Sequence, residues 1–226
     1  MNYIELIALL KENAEENFAQ FQRRLISTKY TILGVRTPKM REIARLFKGK
    51  TEDLLSFPNE YYEVVFIKLA VVSMLGYEEL LVALAQAVSL MDNWALCDCF
   101  RPKCIKNKKD LFLPEILSFL EKEGEFERRF ALVMLLVYYV EEQYLPVIKG
   151  ALKSVNTQGY YTHMAAAWLL AEVLVKHYEY GKEILNEGFI PPKTHDKAIQ
   201  KARESYRLTK AQKAELNALK IKNTER

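Results

Sequence analysis

Apolar residues in this chain recur at spacings of three and four, and no stretch of comparable length alternates with a period of two. Leu80, Leu81, Ala83, Leu84, Ala87 and Val88 fall on one helical stripe. So do Leu113, Ile116, Leu117 and Leu120, and again Met164, Ala167, Trp168, Ala171 and Val175. Helices patterned this way must bury their stripes against other helices, which makes the fold class all-α. Turn residues agree: 8 Gly and 7 Pro in 226 residues are too few to punctuate the many short strands of a sandwich or barrel.

The pattern predicts about a dozen helices joined by short connections, an arrangement that favours antiparallel neighbours. A row of such pairs stacks into a curved solenoid; with no strict repeat consensus visible, an irregular bundle is the other packing the pattern allows. Start signals are read at Thr37-Pro38, as an N-cap followed by proline at the first helical position, and at Asp92 and Asp110 ahead of further helices. The paired prolines between Glu187 and Thr194 stop one helix, and Thr194 is placed to cap the next. That joint is too short for a domain linker, so residues 1–226 are expected to form a single domain. The segment Arg128 to Val140 is apolar nearly all round beyond its first turn and is expected at the centre of the array.

The longest unbroken apolar run, Phe130 to Val140, is about half of what a membrane span needs, so no membrane association is expected. The opening Met-Asn-Tyr-Ile-Glu-Leu has no basic stretch ahead of an apolar one, as a secretory signal would. Cys97, Cys99 and Cys104, an odd number close together, suit a reducing cytoplasmic setting. Their C-x-C-x4-C spacing, with His163, His177 and His195 scattered, matches no zinc pattern, and no metal is expected. Glycine-rich phosphate loops are absent, and Ser27 and Ser205 show no local pattern for a nucleophilic triad.

Net charge is only +4, but it is unevenly spread. Arg101, Lys103, Lys106, Lys108 and Lys109 form a run without an acid, and from Lys193 to Arg226 the basic residues outnumber Asp196, Glu204, Glu215 and Glu225. A polarised basic end can meet a polyanion, or it can be a solvated helix with a tail. Within Asp92-Asn-Trp-Ala-Leu-Cys-Asp98, Trp94 and Asp98 are four apart, which puts an indole and a carboxylate on one face of a helix. Such a pair is also a common rim contact. Arg128-Arg129 at the start of an apolar helix opposes the macrodipole, a placement that is locally unhelpful. Trp168, the other tryptophan, lies in an apolar run where a buried core residue is the ordinary reading.

Five segments, Gly34 to Ala44, Asn93 to Asp98, Arg129 to Leu132, Ala166 to Glu172 and Lys197 to Arg207, resemble in order the motifs of the DNA alkylation repair family, of the AlkD type of DNA glycosylase. The resemblance spans Ile32 to Lys220. It implies a fold of HEAT-like helical repeats, a curved superhelix whose basic concave channel grips double-stranded DNA as a monomer without a cofactor. The implied reaction is excision of N3- or N7-alkylated purines. Carried over by motif, Asp98, Trp94 and Trp168 are the catalytic residues and Arg129 holds backbone phosphate. Lys197 and Lys201, from the last motif and the basic end, join it as phosphate-binding cations. Chemistry is consistent with one carboxylate: an alkylated purine is already cationic and leaves neutral, so its departure needs no general acid. What needs stabilising is the oxocarbenium-like sugar. Two other readings stand beside this one: a non-catalytic DNA binder of the same fold that recognises distorted or branched DNA, and a helical scaffold that holds protein in its groove.

Overall fold

Several helices of the chain begin where a glutamate reaches back over its own first turn. Asn2 and Glu5 form a reciprocal capping box, Asn2 N donating to Glu5 at 2.9 Å and Glu5 N to Asn2 Oδ1 at 3.0 Å. Gly76 N donates to Glu79 at 3.1 Å and Gly124 N to Glu127 at 3.0 Å in the same way. The structure, a computed structural model, describes residues 1–221; Lys222, Glu225 and Arg226 of the basic end lie outside the described residues. Within them the chain is all-α, with fourteen α-helices, two short 3-10 turns and no strand beyond one isolated bridge, Thr31 to Tyr61. It forms two compact units, Met1–Lys108 and Lys109–Arg226.

The first unit holds α1 (Tyr3–Glu12), α2 (Glu16–Leu25), α3 (Thr37–Arg45), α4 (Thr51–Leu55), α5 (Tyr62–Val72), α6 (Tyr77–Ser89) and α7 (Trp94–Cys99). Its axis is α5, buried along almost its whole length, with α3, α4, α6 and α7 packed on it. Two charged residues of α5 are inside, and each is satisfied by hydrogen bonds to residues remote in sequence, most of them through backbone atoms. Glu63 accepts from Leu33 N, Gly34 N and Val35 N, and Lys68 donates to Leu55 O, Phe57 O and Asn59 Oδ1. These ties hold the chain on either side of α3 and α4. Gly34 has φ +93°, and a Cβ there would come within 2.5 Å of Glu15 O and 2.8 Å of Ala19. Only glycine permits that approach to α2.

The second unit holds α8 (Lys109–Leu120), α9 (Glu125–Tyr138), α10 (Leu145–Ser154), α11 (Tyr160–Lys176), α12 (Tyr178–Asn186), α13 (Pro192–Glu204) and α14 (Lys210–Ala218). α9 lies against α11 and α11 against α13, a row of alternate helices, with α8, α12 and α14 packed on α9, α11 and α13 respectively. Small residues make the row possible: Ala165, Ala166, Ala167 and Ala171 are all buried on α11. As expected, the Arg128 to Val140 segment is buried at the heart of this unit.

Several local expectations are corrected. Thr37 is already the first residue of α3, and Arg36 occupies the cap position without a side-chain bond. Asn93 caps α7, while Asp92 stands outside the helix and accepts from Thr28 Oγ1 and Lys29 N; Asp110 is inside α8. Thr194 does not cap α13 but lies within its first turn, its hydroxyl 2.9 Å from His163 Nδ1 on α11. Arg128 and Arg129 do not open α9, whose first turn is Glu125 to Glu127, so the unfavourable dipole placement is largely removed.

Candidate functional site

In the first unit the candidate site is built on α7, a helix of 6 residues whose start is fixed by a chain of hydrogen bonds. Buried Asn93 accepts from Ala95 N at 3.0 Å and Leu96 N at 3.1 Å, and its amide donates to Asp92 at 2.7 Å. Asp92 in turn is held by Thr28 Oγ1 at 2.8 Å and Lys29 N at 2.7 Å, and Tyr30 donates to Leu90 O at 2.8 Å. The helix therefore has one orientation. Leu96, Cys97 and Phe100 go to the core, and Trp94 and Asp98 are left half-buried one turn apart. Asp98 also bears on its neighbour Cys99: burial pushes the Cys99 thiol up, the carboxylate of Asp98 adds to that, and the guanidinium groups of Arg41 and Arg101 pull against it.

In the second unit, Arg129 is 5% exposed, and its Nη1 donates to Tyr161 O at 3.0 Å. One turn earlier on α9, Glu125 accepts from Tyr161 N at 2.5 Å and Thr162 N at 3.3 Å. The beginning of α9 thus grips the first turn of α11, the helix that carries Trp168.

Trp168 is half-buried between fully buried Ala167 and Leu169. It lines a cleft of about 130 Å³ with Glu172 of α11 and with Lys201, Glu204 and Arg207 in and after α13. Arg207 and Glu172 pair at 2.9 Å beside it. Lys193, Lys197 and Lys201 recur every four residues, so they share one stripe of α13. Lys197 Nζ is 2.8 Å from Gln200 Oε1. The field of this stripe reaches inward: burial, with Lys193 and Lys197 adding to it, holds the His163 imidazole below its ordinary value.

The structure therefore brings Trp94 beside Asp98 in the first unit, and Trp168 beside Lys201, with Lys197 on the same stripe, in the second. Arg129 stands at the far end of α11 from the Trp168 cleft. Sequence reasoning gives no role to Glu172 and Arg207, although both fall within the quoted motifs; only their pairing across two helices singles them out. The three cysteines are free, and among the described residues no group of three His, Cys, Asp or Glu gathers as a metal site would require. No helix of the described residues is long and apolar enough to cross a membrane.

The family model for DNA alkylation repair enzyme matches residues 6–206, nearly the whole chain. The chain belongs to that family. No curated protein matches it. A role in DNA repair follows from this membership.

Proposed function

We propose that this family member is a DNA glycosylase that excises cationic N3- and N7-alkylated purines from double-stranded DNA. The observation that carries the reading is the orientation of α7, which buries Leu96 and Cys97 and leaves Trp94 and Asp98 half-buried one turn apart on the same helix. In the reaction the N-glycosidic bond breaks with its electron pair moving to the base, which leaves neutral. Water then adds to the sugar carbon and loses a proton. Asp98 supplies the negative charge that the oxocarbenium-like sugar requires. At about 4 Å and an effective dielectric near 20 that is worth about 4 kcal/mol, about a thousandfold in rate. The Trp94 and Trp168 indoles present electron-rich faces to cationic sugar and base. Lys197 and Lys201 bind backbone phosphate, and Arg129, held by the Tyr161 carbonyl, is the third cation in this reading.

The test is single-turnover release of N7-methylguanine from methylated duplex at saturating enzyme. Asp98→Asn keeps the shape and removes the charge, so folding and DNA affinity should persist while release slows by about two to three orders of magnitude. Equal rates for parent and variant would remove Asp98 from catalysis. Duplex binding without any release by the parent would favour the non-catalytic DNA binder.

A further inference from the structure

Arg41 and Arg45, one turn apart on α3, and Arg101 and Lys103, in the chain just after α7, surround a cleft of about 180 Å³ in the first unit. No Asp or Glu lines it. Its floor is apolar, formed by Phe66 and Leu69 of α5, Leu96 of α7 and Phe100. Three other cations of this unit are paired with acids, Arg23 with Glu16, Arg36 with Glu15 and Lys39 with Glu42. The four cations of the cleft make no such pair with a described residue. Like charges facing one cleft repel one another, and an anion placed between them converts that repulsion into attraction. The half-buried Cys99 lines the same cleft, and the positive charges of Arg41 and Arg101 both bear on its thiol.

We propose that this cleft binds a single nucleotide, with its phosphate among Arg41, Arg45, Arg101 and Lys103 and its base on the apolar floor. Guanidinium groups match a phosphate in bidentate geometry, and an apolar floor takes the ring of any base without reading its sequence. The volume fits the demand: an apolar cavity of about 150 Å³ admits benzene, so this one accepts a six-membered ring with sugar and phosphate at the mouth. Neither Trp94 nor Asp98 lines the cleft, so the proposal does not rest on glycosylase chemistry. The same chemistry serves a free nucleotide or one nucleotide of a single strand.

Cys99 provides the readout. Full-length protein is treated with iodoacetamide, and alkylation of each cysteine is followed by peptide mass spectrometry, with Cys104, which does not line the cleft, as internal control. Thymidine 5′-monophosphate should slow Cys99 alkylation several-fold at saturation and leave Cys104 unchanged. Arg45→Gln with Lys103→Gln, two exposed positions, should weaken that protection by about tenfold or more, since each lost charge-assisted contact is worth roughly that factor. Ala70→Leu, which fills the cleft without touching a charge, should abolish it. Protection by a short oligothymidylate at much lower concentration would assign the site to a single strand, and protection by the mononucleotide alone would assign it to the free nucleotide; both uphold the proposal. Equal protection by thymidine would overturn the phosphate assignment, and equal protection by inorganic phosphate would overturn the base assignment. Absence of protection by any of these at about 10 mM, well above any specific affinity, would overturn it entirely. Base release from methylated duplex is a separate measurement and leaves this outcome unaffected.

Discussion

Replacing Glu125 by alanine tests whether the grip of α9 on α11 is held by one carboxylate. Its oxygens accept from Tyr161 N at 2.5 Å and Thr162 N at 3.3 Å, two of the donors that the first turn of α11 leaves without an intrahelical partner. Thr162 is fully buried, so its N–H has little access to replacement water. Hydrogen bonds to a charged acceptor contribute about 1.5 to 3 kcal/mol, and a negative charge at a helix N-terminus adds about 0.3 to 1 kcal/mol. Glu125→Ala should therefore cost about 2 to 3 kcal/mol, which for a chain of this size is a fall in melting temperature of about 5 to 10 °C. A second perturbation reaches the same contact from the other side. Gly159, the cap residue of α11, has an ordinary extended φ of −69°, but a Cβ there would overlap the Glu125 carboxylate. Gly159→Ala should evict the carboxylate and cost about 2 kcal/mol by itself, yet in the Glu125→Ala background it should lie within about 0.5 kcal/mol of neutral, because alanine tolerates this backbone and loses less entropy on folding. The double variant should thus melt close to Glu125→Ala. The assay is thermal and urea denaturation of all four proteins of the cycle. If the two costs simply add, the carboxylate is not the shared contact, and this account of how α11 is seated is wrong.

Three further outcomes are expected. Trp94→Ala should fold with a melting temperature near the parent's, because Trp94 is half-buried and its truncation avoids the roughly 3 to 5 kcal/mol of a core tryptophan, while base release slows; a collapse in melting temperature with normal release at low temperature would place Trp94 in the core. Lys197→Gln with Lys201→Gln should flatten the dependence of duplex affinity on salt by one or two units of log–log slope, since each neutralised phosphate contributes about −0.9; an unchanged slope and affinity would make the stripe a solvated face. The depressed His163 gives stability that is fully present above its unfolded value of about 6.5 and is lost as pH falls below it, because the unfolded chain takes up the proton more readily. His163→Gln should flatten that acid limb in urea titrations between about pH 7 and 5, and an identical limb in the variant would assign it to other groups.

The helical class and the centrality of the Arg128 to Val140 segment are legible in the sequence because both depend on local periodicity. Leu80, Ala83, Leu84, Ala87 and Val88 are buried as the stripe predicts, and Leu81, its remaining member, is half-buried. Helix starts are less legible. Proline and aspartate read as the signals, whereas Glu79 and Glu127 mark starts by bonding back to a glycine N–H, a cue that the spacing G-x-x-E carries. Thr194 departs from its expected role for a different reason: its partner, His163, is remote in sequence, and no local pattern reveals a hydroxyl spent between helices. The roles of Glu63 and Lys68 are not legible at all, because a charge inside an apolar run gives no sign of which loop will satisfy it.

α11 shows most sharply why a candidate site is harder to read than a fold. The spacing of Met164, Ala167, Trp168, Ala171 and Val175 is helical, and from sequence the stripe reads as a core face. In the structure the fully covered faces hold Thr162, His163, Ala165, Ala166, Ala167, Leu169, Leu170, Ala171, Val173 and Leu174, and the half-open stripe is Tyr161, Met164, Trp168, Glu172 and Val175. The period is right, and the stripe straddles two environments: Ala167 and Ala171 are core, while Met164, Trp168 and Val175 lie half-open. A helix apolar on nearly every side offers no single face to orient it, so its rotation is set by which neighbours cover it, here α9, α12 and α13. The small residues Ala165, Ala166 and Ala171 fit the faces where neighbouring helices pack closely, and the large Trp168 lies at the cleft that α11 shares with α13. Seated by its buried faces, α11 presents the Trp168 indole at the cleft beside Lys201 and Arg207, and a fixed placement is what the proposed reading asks of that side chain.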